Sequence, residues 1–208
     1  MMRGEVRALC DFVPGAPPAW RLHNATVAAE VRASPQGLCL ATLLDGARGS
    51  SWSGLGPMTY LSPAAAGSPE GWRLLDWSCQ EEHGAVTLRA SFARGGLLLV
   101  ESLWLPPDLP VIRRWVELRN DGDEPVEVER YHLLDLLLEH DLRETPLELL
   151  YVEAFAGHRW DRWDPGDASF GVRRQVVAAG DAVRLPVGAY QQACSWAALR
   201  RRDGLGLV

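Results

Sequence analysis

The sequence feature that most constrains the fold is a series of short apolar segments separated by turn-forming residues. Residues 71–78, 85–92 and 96–105 are three such segments in succession, and the residues between them include Gly and charged side chains. Their repeat interval of roughly ten residues is typical of antiparallel strands in a β-sandwich or β-barrel. No strand alternates with a long amphipathic helix, which argues against a parallel α/β sheet. The sequence therefore predicts an all-β fold, a large antiparallel β-sandwich.

The stretch 110–139 predicts a β-hairpin around which the chain is organised. Side chains alternate at period two from Val111 to Arg119, and the pattern resumes at residues 126–129. Between the two arms, residues 120–125 supply the Asn, Asp and Gly that a turn needs, and a Pro that cannot donate to a ladder. The returning arm continues into an apolar run at 133–138. A helix over residues 130–140 stays open as an alternative, because short apolar runs are ambiguous.

A further hairpin is predicted between an arm at residues 20–31 and an arm at 38–44, with its turn at 34–37. Residues 45–66 are rich in Gly, Ser and Pro, and they predict a long loop that exposes Trp52. A long loop that keeps a Trp is either functional or pinned onto the core by that side chain. The remaining predicted strands are a short one before a loop at residues 14–18, and those at 147–156, 171–178, 182–187 and 194–199.

The length of 208 residues fits one large domain spanning residues 1–208, with two small domains as the alternative. A net charge of -6 disfavours nucleic acid as a partner, because phosphate binding needs a basic face. No run of 18 apolar residues is present, so a membrane partner is not expected either.

The four cysteines, Cys10, Cys39, Cys79 and Cys194, are far apart and lack metal-ligand spacing. The N-terminal residues contain no apolar stretch of the length that a signal segment requires. We therefore expect a reduced, cytoplasmic protein whose cysteines are small buried hydrophobic residues.

No phosphate-binding loop, nucleophile elbow or zinc motif occurs, so no cofactor and no metal are expected. The residues that best fit a binding site are Trp160, Asp161, Arg162, Trp163 and Asp164. Two Trp faces can stack on a sugar ring while carboxylates and a guanidinium bind its hydroxyls. The alternative is that both Trp plug the end of the sandwich. A second alternative is that Asp161 and Asp164 are the catalytic carboxylate pair of a glycosidase. It stays open only in principle, because sequence spacing does not set the separation of their carboxyl groups.

The second half of the chain resembles the N-terminal β-supersandwich domain of glycoside hydrolase family 36, the α-galactosidases. The resemblance is carried by the strand pattern of residues 111–138, by Gly-His-Arg-Trp at 157–160 in place of the family's Gly-x-Trp, and by residues 190–208. This chain departs from the family at 190–192, where Tyr-Gln-Gln replaces Ser-His-Gln. It departs again at 186–189, where Pro-Val-Gly-Ala replaces Arg-Gly-x-Ser.

The resemblance implies a galactose-mutarotase-like sandwich that is itself non-catalytic. In that family the catalytic aspartates lie on a (β/α)₈ barrel after this domain, and a barrel needs roughly 250 residues of its own. The resemblance thus implies an accessory domain that supports a barrel in the same, longer chain and joins protomers into a homo-oligomer. It also implies a contribution to the rim of a sugar pocket, for a carbohydrate such as a galactoside, with Trp52 and residues 160–164 as candidates. The apolar residues at 207–208, which resemble the middle of a strand, give the same expectation of a longer chain.

Two other functions stay open at this point. One is a free-standing, mutarotase-like aldose epimerase, which needs a general acid and base at the anomeric centre. His132 or His158, together with Glu153, would have to supply them. The other is a plain carbohydrate-binding module in which Trp160 and Trp163 contact the sugar.

Overall fold

The structure is a computed structural model of the chain, and it describes residues 7–46, 49–58, 60–63, 71–132, 147–154, 172–177, 193–200 and 206–207. The described residues form fifteen β-strands and no helix. Every pairing between these strands is antiparallel. The predicted all-β class is therefore confirmed. The chain divides into two compact units, residues 1–139 and 140–208; one domain over 1–208 stays a prediction.

Unit 1 contains eleven of the described strands, in three sheets. The first sheet has the order β1-β2-β3-β4-β5, the second has the order β10-β9-β8-β7, and β6 pairs with β11. The strands are β1 (Leu9–Val13), β2 (Ala19–His23), β3 (Val27–Ser34), β4 (Gly37–Asp45), β5 (Ser50–Pro57), β6 (Tyr60–Pro63), β7 (Arg73–Glu82), β8 (Ala85–Arg94), β9 (Leu97–Leu105), β10 (Arg113–Asn120) and β11 (Val128–His132).

Unit 2 contains a four-stranded sheet with the order β13-β12-β14-β15. Its strands are β12 (Leu147–Ala154), β13 (Val172–Val177), β14 (Ala193–Arg200) and β15 (Gly206–Leu207). The first three confirm the strands predicted at 147–156, 171–178 and 194–199. The strand predicted at 182–187 and the apolar run at 133–138 lie outside the described residues.

The core of unit 1 lies between the first and second sheets, and its residues follow the two-residue period of a strand. On β3 the side chains of Val27, Ala29, Val31 and Ala33 are buried, and the residues between them are more exposed. On β9 every second residue from Leu97 to Leu105 is buried, and so are Val100 and Ser102 between them. The alternation on β3 fixes the register of that strand, because a one-residue slip would turn its apolar face to water.

The middle inward-facing position of β9 is a carboxylate, Glu101, whose side chain is fully buried. Its Oε2 accepts a hydrogen bond from the backbone N–H of Leu38 on β4, at 2.5 Å. Its Oε1 accepts one from Nη2 of Arg114 on β10, also at 2.5 Å. Glu101 therefore joins the two sheets through the core. Gly37 leaves room for it, since a Cβ there would lie 2.7 Å from Oε2.

Three connections differ from the sequence-based predictions. The arm predicted at 20–31 is divided into β2 and β3 by a turn at Asn24, whose Oδ1 accepts hydrogen bonds from the N–H groups of Thr26 (2.7 Å) and Val27 (2.9 Å). Its Nδ2 donates to the carbonyls of Pro106 (2.8 Å) and Leu109 (2.9 Å), on the connection that follows β9. The Asn24 side chain therefore satisfies backbone groups of its own turn and of the distant connection after β9.

The predicted hairpin of 110–139 is wrong in its pairing, although both of its arms are strands. β10 pairs with β9 and β11 pairs with β6, in a different sheet. All eight residues of β10 pair with β9, and the N–H of Asp121 continues this contact by donating to the carbonyl of Gly96 at 2.8 Å. The chain is thereby directed over the β8–β9 turn instead of returning along β10.

The predicted loop at 45–66 is also wrong, because β5 and β6 lie within it. Gly54 and Gly56 adopt positive φ angles of 65° and 78°. The pairing of β4 with β5 shifts register between Leu40 and Thr42, directly opposite these glycines. The glycines thus belong to a bulged strand, which a sequence pattern does not distinguish from a loop.

We predict that removing the Glu101 carboxylate destabilises unit 1 strongly, because the Arg114 side chain is only 12% exposed and would lose its buried counter-charge. Glu101→Ala should cost about 3–5 kcal/mol of unfolding free energy, measured by urea denaturation. The control is Glu101→Leu combined with Arg114→Met, which removes both charges and should recover much of the loss. An equal loss in the double variant would contradict the ion-pair explanation.

A second prediction concerns the two-residue turn between β7 and β8. Its residues His83 and Gly84 have φ angles of 52° and 75°, a conformation that Asn tolerates better than His. His83→Asn should therefore raise the stability by about 0.5–1 kcal/mol, seen as a higher Tm. The matched variant His83→Val should lower the Tm, because a β-branched residue is strained at positive φ.

Candidate functional site

The residues predicted to contact sugar fall into two groups in the structure. Trp160, Asp161, Arg162, Trp163 and Asp164 lie outside the described residues, so their role stays a prediction. Trp52 lies on β5, paired with Leu43, and its side chain is 2% exposed. The expectation of an exposed Trp52 is thus wrong, and its burial supports the alternative in which this side chain pins its segment onto the core.

The residues considered for an epimerase lie on different units or outside the described residues. His132 is the last residue of β11 in unit 1. Glu153 lies on β12 in unit 2, where it pairs with Cys194. His158 lies outside the described residues. The epimerase assignment stays a prediction.

The aromatic cluster that the structure does describe consists of Phe12, Trp20 and Trp77. Phe12 on β1 and Trp77 on β7 are stacked, with ring centroids 5.3 Å apart and planes at 10°. Trp20 contacts Trp77 edge-on, at 5.4 Å and 61°. Such offset and edge-to-face arrangements are those that aromatic rings prefer. Phe12 is 46% exposed and Trp77 is 37% exposed, whereas Trp20 is fully buried beneath them.

The cluster belongs to a line of contacts that closes one edge of the sandwich, which we term the β1–β7 edge. It consists of three pairs: an ion pair between Arg7 and Glu81 at 3.7 Å, a disulfide between Cys10 and Cys79, and the Phe12–Trp77 stack. As the residue number rises on one strand it falls on the other, so the two edge strands run antiparallel. The N–H of Ala8 adds a hydrogen bond to the carbonyl of Gly84 at 2.8 Å.

The disulfide corrects the expectation that the cysteines are reduced. Cys10 and Cys79 have their Cα atoms 6.5 Å apart, within the range that a disulfide spans. Cys39 is a free thiol on β4. Burial raises the pKa of Cys39, and the nearby Arg32 lowers it by less. This thiol therefore holds less of the reactive thiolate than an exposed cysteine would.

A sequence signal for the β1–β7 edge exists in retrospect. Each of the two edge strands carries a cysteine and an aromatic residue two positions apart. The order is Cys-Asp-Phe at 10–12, and it is reversed, Trp-Ser-Cys, at 77–79. On antiparallel strands, this order brings Cys opposite Cys and an aromatic ring opposite an aromatic ring. Either motif by itself is unremarkable, which is why the pattern is not evident until β1 and β7 are known to be neighbours.

Away from the β1–β7 edge, the charged pair Arg119 and Asp121 has a structural role. The Asp121 carboxylate accepts two hydrogen bonds from Arg119, at 2.6 and 2.7 Å, and these hydrogen bonds lower the pKa of Asp121. Both side chains are exposed, so this pair orders the turn after β10 without a large effect on stability. In the part of the chain that the structure describes, no three His, Cys, Asp or Glu residues group as metal ligands would.

Comparison with protein-family models, with curated proteins and with solved structures finds no match to this chain. Within the described ranges, no helix has the length and apolar character needed to cross a membrane. Among the described residues, the β1–β7 edge presents a half-exposed aromatic surface beside a disulfide.

We predict that the Phe12–Trp77 stack contributes a measurable coupling energy despite its exposure. A double-mutant cycle of Phe12→Ala and Trp77→Ala, followed by urea denaturation, should give a coupling of about 0.5–1.5 kcal/mol. The matched control is Trp115→Ala on β10, a Trp of similar exposure (39%) for which the described residues show no ring contact. A coupling between Phe12 and Trp115 as large as that with Trp77 would contradict the assignment.

Proposed function

We propose that this chain is a non-catalytic accessory domain of a glycoside hydrolase of the α-galactosidase type. In this proposal it supports a catalytic (β/α)₈ barrel in the same, longer chain, takes part in homo-oligomer assembly and contributes to the rim of a sugar pocket. The antiparallel β-sandwich architecture supports the proposal. So does the sequence resemblance over residues 111–138, whose described part forms β10 and β11.

The observation that best supports a structural role for unit 1 is the environment of Glu101. A general acid or base must exchange a proton with its substrate. Glu101 is fully buried, and both of its oxygens accept hydrogen bonds from within the protein. The carboxylate at the centre of the core of unit 1 therefore holds the two sheets together.

The cytoplasm is the compartment that goes with this proposal. A disulfide in a cytoplasmic protein is usually transient and responds to redox conditions, whereas a permanent one is typical of oxidising compartments. The Cys10–Cys79 bond in this proposal belongs to the first kind.

The first test of the proposal is the intact mass of the native gene product, compared with the 22.9 kDa of this chain. We expect a product several hundred residues longer, because a barrel needs roughly 250 residues. Residues 1–208 alone should release no p-nitrophenol from p-nitrophenyl α-galactoside, whereas the full product should release it. Hydrolysis by residues 1–208, or a native product of 22.9 kDa, would overturn the proposal.

A carbohydrate-binding module is a second candidate function, favoured by the half-exposed Phe12 and Trp77 rings. Aromatic faces stack on the apolar faces of sugar rings. This candidate differs from the first in expecting a native product of 22.9 kDa that binds sugar without a barrel.

Under the accessory-domain proposal, we predict that Trp160 and Trp163 contact the sugar. Replacing each by Ala should weaken the binding of methyl α-galactoside by about tenfold, the effect of losing one aromatic contact, measured by calorimetry. Trp115→Ala is the control and should leave the affinity unchanged. If both variants only lower the Tm, the two Trp are structural plugs; if Trp77→Ala weakens binding instead, the sugar site lies at the β1–β7 edge.

A further inference from the structure

The β1–β7 edge depends on β1, which is the least buried strand of the first sheet. Along β1 only Cys10 is partly buried, and the other four residues are exposed. β1 has a neighbour in its own sheet on one side only, where it pairs with β2. On the other side it is held by the three pairs of the β1–β7 edge, and the disulfide is the one covalent pair among them.

The two noncovalent pairs are weaker than the disulfide. The Arg7 and Glu81 side chains are about half exposed and 3.7 Å apart, a geometry that contributes little in water. The stack of Phe12 on Trp77 is itself partly exposed. A cross-link that closes a loop of 69 residues removes far more freedom from the open state than either pair does. Apart from its ladder to β2, the position of β1 therefore depends chiefly on the Cys10–Cys79 bond.

The disulfide lies where a small thiol reagent can reach it. Both cysteines are only partly buried, and their chain neighbours Leu9, Asp11 and Gln80 are exposed. The free thiol Cys39 is a poor competitor for exchange, because burial raises its pKa and so reduces its thiolate fraction.

We infer that the Cys10–Cys79 bond is a reversible redox cross-link that controls access to the aromatic cluster. A dithiol reductant attacks one sulfur as its thiolate, the S–S bond breaks, and a mixed disulfide forms. The second thiol of the reductant resolves it and leaves as the oxidised cyclic disulfide. Cys10 and Cys79 each end as a thiol, having gained two electrons and two protons together. β1 then separates from β7, Phe12 loses its contact with Trp77, and water reaches Trp20.

The test uses the full chain with and without dithiothreitol, and it has two readouts. A non-reducing tryptic digest of the oxidised protein should contain residues 8–21 linked to residues 74–89, and this linked peptide should disappear on reduction. Hydrogen exchange should rise by about tenfold or more on reduction at the amides of residues 8–13. Ala8 is the most direct reporter, because its N–H donates to the carbonyl of Gly84 across the edge. Residues 97–105 of the core strand β9 serve as the internal reference.

Two variants separate the cross-link from other thiol effects. Cys10→Ser combined with Cys79→Ser should exchange quickly at residues 8–13 in both conditions, and Cys39→Ser should respond to dithiothreitol as the natural sequence does. If the double variant does not fold, the natural sequence with and without reductant still decides the question. Absence of the linked peptide from the oxidised protein, or exchange at residues 8–13 that reduction leaves unchanged, would overturn the inference.

Discussion

The buried carboxylate of Glu101 is the interaction on which the arrangement of unit 1 depends. It occupies the central inward position of β9, where apolar side chains stand two residues before and after it. Its two oxygens bind the Leu38 N–H on the opposite sheet and the Arg114 guanidinium on the neighbouring strand. A buried ion pair adds little to stability compared with well-packed apolar side chains. The ion pair instead fixes how the strands are arranged, because the hydrogen bonds of Glu101 to Leu38 and Arg114 form only when β4, β9 and β10 are all in register. Gly37 belongs to the same arrangement, since a Cβ at that position would collide with the carboxylate.

Much of the secondary structure could be predicted from the sequence, whereas the pairing of strands could not. The segments that became β7, β8 and β9 were evident because apolar alternation and turn residues are local signals. The partner of β10 was not, because alternation gives the faces of a strand but says nothing about which strand lies beside it. The β9–β10 ladder decides that pairing, and its paired residues, such as Leu97 and Asn120, are far apart in sequence. The loop prediction around Trp52 failed for a similar reason: glycines at positive φ occur in loops and in bulged strands alike.

The candidate site shows the same division between local and distant information. The Trp-rich stretch at 160–164 was conspicuous because its residues are adjacent in sequence, and its function stays a prediction. The β1–β7 edge was inconspicuous because each of its pairs joins residues more than sixty positions apart. The lack of a signal segment led to the expectation of reduced thiols, which the Cys10–Cys79 bond overturns. Spacing along the chain is a weak guide to pairing when two strands meet at the edges of different sheets.

The separation of Cys10 and Cys79 also has a consequence during protein synthesis. The chain leaves the ribosome from its N-terminus, so β1 emerges before β7, and the cysteine that secures it follows 69 residues later. At synthesis rates of 5–20 residues per second, β1 waits roughly 3–14 s for that partner. During this interval its outer edge can pair with another extended chain, which is the hazard of an unprotected edge strand. The exposed charged residue Asp11 and the two prolines that follow β1 within the next four positions, Pro14 and Pro17, limit such pairing in the nascent chain.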